Sequence, residues 1–187
     1  MRRRAMLANL AMLAVAPGCG FPTQTSPHPI GGDEQPQTIS TDSGGQEPAV
    51  EAITVWFVNQ DVLVPIVRRV PLPPDAATAV ATDAAGVTPS ESARGYRSTI
   101  PDPSMIRGAK VSRGTATVQL AAEFLDIPPD DQVLALGQLV FTLTDLRGIG
   151  RVRFEIDGDA VVVPLPAGDS TEGSVSRDDF APLTTVG

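Results

Sequence analysis

The chain has 187 residues, 42% hydrophobic and 4% aromatic, with 18 Pro, 17 Gly and a formal net charge of −8. A single Cys, a single His and a single Lys exclude an internal disulfide, any multi-cysteine metal centre and most constellations that depend on histidine. The length suits one core of about 100 to 150 residues with extensions rather than two full domains.

The chain opens on Arg2, Arg3 and Arg4, followed by a mostly apolar run over residues 5–16 that only Asn9 interrupts. This is the pattern of a secretory signal. A membrane span needs about 20 apolar residues, and Pro17, Gly18 and Gly20 end the run well short of that. Ala16-Pro17-Gly18-Cys19 resembles the lipobox of bacterial lipoproteins. The resemblance implies cleavage after residue 18, acyl chains of the palmitate kind at Cys19, and attachment to the extracytoplasmic side of the cell membrane. Two or more such chains hold a protein on a bilayer where one barely does. Cleavage after Ala16, at an A-x-A pattern, is the alternative, and Pro17 opposes it.

Residues 19–51 are rich in Pro, Ser, Thr, Gln, Gly and acid, without apolar periodicity. Such a segment buries too little surface to offset the entropy of ordering its backbone, so it reads as a disordered linker that holds a domain clear of the lipid. His28, between Pro27 and Pro29, is a solvated bystander there. Eleven basic residues follow the signal, against all twenty-two acidic ones, a net charge of −11. That balance repels phosphate backbones and anionic lipid heads, and it excludes nucleic acid as a partner.

The domain expected over residues 52–187 begins with Ile53, Val55 and Phe57 alternating with Thr54, Trp56 and Val58, a strand apolar on both faces. Trp56 points opposite to Phe57, so it packs under a helix or lies exposed, and packing is the favoured reading. After the turn-like Asn59-Gln60-Asp61, residues 62–70 form a strand whose Pro65 places it at an edge. Residues 75–85 predict an alanine-rich helix capped by Asp75 and stopped by Gly86. Residues 87–97 read as a polar loop or a short helical turn. Alternation on both sides of Arg113-Gly114 predicts a hairpin. Val133, Leu136, Val140 and Leu143, at spacings of 3, 4 and 3, mark the strongest helix, ended by Gly148 and Gly150. Residues 151–157 alternate without exception, Asp157-Gly158 signals a hairpin, and residues 160–163 return until Pro164. The order β-β-α-β-β-α-β-β predicts an α+β fold, a mainly antiparallel sheet with two helices packed on one face.

The segments TVWFVN, VPIVRRVP, STIPD, TATVQLAAEF, LGQLVFTLTDL, GIGRVRFEIDG and VSRDDF, in that order between residues 52 and 183, resemble the GerMN domain of sporulation and germination proteins and of actinobacterial lipoproteins. The most telling stretch is Gln138 to Thr144 followed by Val152 to Gly158. The resemblance implies an α+β fold akin to ring-building motifs and a role in protein contact or scaffolding outside the membrane. Larger lipoproteins join such a domain to a β-propeller and work with a sensor kinase; with 187 residues this chain is expected to have no room for a propeller, and that sensor role is not expected of it.

Chemistry is sparse. The histidine lies in the linker, so no Ser-His-Asp triad is available, and Lys110 is expected on the solvated face of the hairpin. Asp130 and Asp131 sit at a helix start, where negative charge complements the helix dipole and capping accounts for them. Glu155, Asp157 and Asp159 flank a turn without the alternating oxygen ligands of a calcium loop, and Gly148-Ile149-Gly150 precedes a strand where a dinucleotide loop would follow one. No cofactor, metal or catalytic residue is therefore expected. Arg94, Tyr96 and Arg97, within residues 91–100, are the candidate partner-binding residues, toward an envelope protein of unknown identity. The leading expectation is a non-catalytic interaction or scaffold lipoprotein of the cell envelope. The alternatives are a small-molecule or cell-wall glycan binder and, behind it, a hydrolase using a carboxylate pair.

Overall fold

The computed structural model describes residues 49–184. The signal, Cys19, His28 and nearly all of the expected linker lie outside the described residues.

Strands β1 (Val50–Asn59) and β2 (Val62–Pro71) form an antiparallel ribbon. Gln60 and Asp61 both have positive φ, 50° and 61°, the backbone of a two-residue hairpin turn whose twist matches the strands. The closing pair Asn59 and Val62 exchanges ladder hydrogen bonds, and the pattern then alternates, so every second residue turns its backbone N–H and C=O away from the ribbon. Pro65 faces Trp56 in this register, where the missing N–H points outward and no ladder bond is lost. That is why an edge strand accommodates it.

Helices α1 (Ala76–Ala84), α2 (Pro89–Ser92) and α3 (Pro129–Thr144) differ in how they are stabilised. Asp75 caps α1 by accepting from the Thr78 N–H at 2.7 Å, as expected. The short α2, within the segment read as a loop or turn, is closed by a capping box between Thr88 and Glu91. Helix α3 is buried from Leu134 to Leu143 without a break, which is the position of a central helix rather than a surface one. It ends at Thr144, ahead of the two glycines. Its N-cap residue is Pro128 and no side chain caps it, so the capping expected of Asp130 and Asp131 is corrected. Both stand in the first turn, where their charge suits the dipole.

A four-stranded sheet runs β3 (Ile106–Ser112), β4 (Thr115–Leu120), β5 (Arg151–Ile156) and β6 (Asp159–Ala160). The β3–β4 and β5–β6 hairpins turn at Arg113-Gly114 and Asp157-Gly158, again with both φ values positive. Strands β4 and β5 pair in parallel, the one parallel ladder among the described strands. Parallel neighbours need a crossover, and a 3-10 turn, Ala122–Asp126, with α3 supplies it. Of the expected last strand, residues 160–163, only Ala160 joins the ladder with β5, beside Asp159. Strand β7 (Val163–Pro164) instead pairs with β8 (Ser170–Thr171). The fold is thus α+β and mainly antiparallel, with the ribbon standing as a sheet of its own.

Helices α1 and α3 contact each other and both sheets. The larger core joins α3 to Val118, Leu120, Val152 and Phe154 of the four-stranded sheet, while Ile53, Val55 and Phe57 of β1 pack with Val70 and Ala79 in a second cluster. A 3-10 segment, Arg177–Thr184, closes over α3. Gly137 allows the approach, since a Cβ there would stand 2.7 Å from Leu183 Cδ1 and 3.2 Å from Phe180 Cδ1.

Candidate functional site

The segment after α2 carries Arg94, Tyr96 and Arg97 on the surface. Arg94 is exposed and Tyr96 half-buried. The Arg94 guanidinium lies 5.6 Å from the Tyr96 ring centre, a cation–π distance, and its Nε donates to the Ser90 carbonyl at 3.2 Å. Arg97 is placed by its backbone, which exchanges hydrogen bonds with Val58 of β1 at 2.8 and 2.9 Å. Its side chain reaches Asp131 of α3 at 2.8 Å and Asp61 of the β1–β2 turn at 3.3 Å, and Asp131 above all holds it in the charged form. The structure therefore brings Arg94 and Tyr96 together as a stacked pair and commits Arg97 to two carboxylates. Asp131 thus has an ion-pair role that spacing gave no sign of.

The base of this surface is fixed by Glu91, whose side chain is only 8% exposed and takes both guanidinium nitrogens of Arg68 at 2.7 and 2.6 Å. That fork geometry is the strongest a carboxylate can receive. The Arg68 bonds, aided by the Thr88 N–H, hold the Glu91 carboxyl down at about 2.

Trp56 packs on Phe141 of α3, with ring centres 4.7 Å apart, as the favoured reading of the strand implied. Its indole N–H donates to Asp145 at 2.7 Å. Arg177 spans the two rings, 4.7 Å from Phe141 and 5.4 Å from Trp56, and donates to the same carboxylate at 2.6 Å.

Deeper in the core lies a polar network that sequence reasoning missed. Asp83 of α1 is fully buried and accepts from Gln138 Nε2 at 2.7 Å and Thr142 Oγ1 at 2.8 Å. Gln138 Oε1 in turn accepts the N–H and hydroxyl of Thr99, and Thr142 Oγ1 accepts the outward N–H of Trp56 at 3.1 Å. Burial pushes the Asp83 carboxyl up to about 7, against the two hydrogen bonds that favour its charge. An acid at that value suits proton transfer, yet this one is enclosed and consumed in joining α1, α3, β1 and the segment at Thr99. The one available signal was a polar residue recurring at Gln138 and Thr142 inside the otherwise apolar stretch from Leu134 to Leu143.

Two of the acids flanking the β5–β6 turn have side-chain partners. Asp157 meets Arg107 at 2.9 Å, and Glu155 accepts from Gln119 at 2.7 Å. Among the described residues no group of three or more metal-ligating side chains forms. Lys110 is exposed. A groove of about 590 Å³ runs beside the first half of β1.

Comparison with known proteins places this geometry. The family model described as Germane, sporulation and spore germination, matches residues 54–162. Over 138 residues the chain is 32% identical to Lipoprotein LpqB of Cutibacterium acnes, covering 70% of this chain and 23% of that protein. The chain thus spans about a quarter of that relative's length. Two solved structures share the fold at 19% identity. The tandem GerMN domains of the sporulation protein GerM from Bacillus subtilis superpose with a TM-score of 0.53, covering 70% of this chain and 48% of that one. The first of those domains alone gives 0.52, covering 68% of this chain and 98% of that one.

Proposed function

The chain belongs to the Germane family of sporulation and spore germination domains, and from that premise we propose that it is an exported, lipid-anchored protein whose GerMN-type domain binds an envelope protein without catalysis. The observation that carries this reading is the coincidence in one chain of a Cys19 lipobox pattern with a domain 32% identical to a protein named a lipoprotein. Lipidation at Cys19 would fasten the chain to the extracytoplasmic face of the cell membrane. The stacked Arg94 and Tyr96, with Arg97 beside them, are the proposed contact surface, because aromatic and arginine side chains held in a defined geometry anchor protein interfaces. The absence of catalysis is supported by Asp83, the carboxyl raised toward neutral acidity, being bound on both oxygens inside the core.

Two measurements test the reading. Cys19→Ala should move the protein from the membrane to the soluble fraction, and retention on the membrane would refute the lipid anchor. Proximity labelling from the full-length chain in its native membrane should mark an envelope protein that Arg94→Ala with Tyr96→Ala no longer marks. An unchanged set of labelled proteins would refute the contact surface.

A further inference from the structure

We infer that the first half of β1 is a docking edge, at which an extended segment of a partner protein bearing a basic side chain adds as a third strand to the ribbon. The inference stands apart from the Arg94 surface and goes beyond it.

The argument begins with the ladder. Because Asn59 and Val62 close the turn, residues 50, 52, 54, 56 and 58 of β1 turn their backbone groups away from β2. Among the described residues this edge is satisfied at its far end alone: Val58 pairs with Arg97, and the Trp56 N–H reaches Thr142. Toward the start of the strand no neighbouring strand among the described residues takes Ala52 or Thr54, and both line the groove of about 590 Å³. Ala52 is exposed and Thr54 half-buried. An open run of edge N–H and C=O groups is a template for one more strand, and strand addition is a general mode of peptide recognition.

The rest of the groove suits such an occupant. Val111, 48% exposed at the end of β3, and Ile149 give apolar contact. Asp145 is already paired with Arg177, which leaves Glu51 and Asp75 against Arg147 along the lining, so its charge complements a basic segment and disfavours an acidic one. Beyond Trp56 the edge is already occupied, which limits the added strand to about five residues at roughly 3.3 Å each.

The ribbon itself supplies the variant. Pro65 occupies an outward ladder position of β2 without disturbing the pairing, so Ala52→Pro should delete one outward N–H and keep the ribbon. The probe is a displayed library of random decapeptides selected on the purified full-length chain. Selected peptides are expected to alternate apolar and polar residues, to carry Lys or Arg, and to slow hydrogen exchange at the Ala52 and Thr54 amides. They should lose about tenfold in affinity on Ala52→Pro, with thermal unfolding of that variant unchanged, and keep full affinity on Arg94→Ala. Binders indifferent to Ala52→Pro, or none that protect these amides, would overturn the inference while leaving the Arg94 surface untouched. If Ala52→Pro unfolds, Glu51→Lys replaces it, and undiminished affinity for basic peptides then counts against the inference. Protection of the same amides in the free chain that grows with protein concentration would name a second copy as the occupant and overturn it equally.

Discussion

Asp83 and Gln138, 55 residues apart in sequence, meet through a 2.7 Å hydrogen bond inside the core. The bond joins α1 to α3 and leaves a carboxyl whose acidity is set by burial. Its folded value of about 7 exceeds the ordinary 3.8, so across that interval the folded protein holds a proton that the unfolded chain releases. Stability from this group is fully present below about 3.8 and declines as pH rises through 7. Asp83→Asn should remove that decline, read as the pH dependence of the urea midpoint. Asp83→Ala should cost about 2 to 3 kcal/mol, since the Gln138 and Thr142 donors lose their acceptor.

Glu91 works with the opposite sign. Its folded value, about 2, lies below the ordinary 4.5, so its contribution is complete above 4.5 and is lost as pH falls toward 2. Arg68→Ala should flatten that acid limb. It should also destabilise the domain by about 3 kcal/mol, because a nearly enclosed carboxylate is left unpaired. Between them the two carboxyls favour a stability maximum in mildly acidic solution, measurable by denaturation across pH 3 to 8.

Gly137 is where the closing segment approaches α3. Gly137→Val should destabilise by about 2 kcal/mol or more, because the added atoms meet Phe180, which is fully buried, and Leu63. Faster hydrogen exchange across residues 177–184 would accompany it.

Trp56 is the chain's single tryptophan, so its fluorescence reports on the Arg177 stack directly. Arg177→Ala should shift the emission to longer wavelength and cost about 1 to 2 kcal/mol through the lost cation–π and carboxylate contacts. Arg177→Lys should restore little of it, since an ammonium cannot spread over two rings and bond Asp145 as a planar guanidinium does. An unchanged spectrum in Arg177→Ala would contradict the stack.

Much of the fold was legible because its signals are local. The alternation in β1, β4 and β5, the Arg113-Gly114 and Asp157-Gly158 turns, the Asp75 cap and the apolar spacing of α3 each depend on residues two to four apart. The surface position of Arg94 and Tyr96 followed from a polar segment lying between apolar ones.

The sequence by itself determined the main strands, β1 to β5, and the two longer helices, α1 and α3, because backbone periodicity and turn chemistry act over a few residues. Only the tertiary structure decided that β4 and β5 run in parallel, that Arg177 crosses from the last segment to Trp56, that Asp83 meets Thr142, and that the first half of β1 keeps an open edge. Each of these joins residues far apart in the chain. Such pairings are fixed by the packing of the whole core, where every buried donor and acceptor must find a partner at once, and no short pattern encodes that choice.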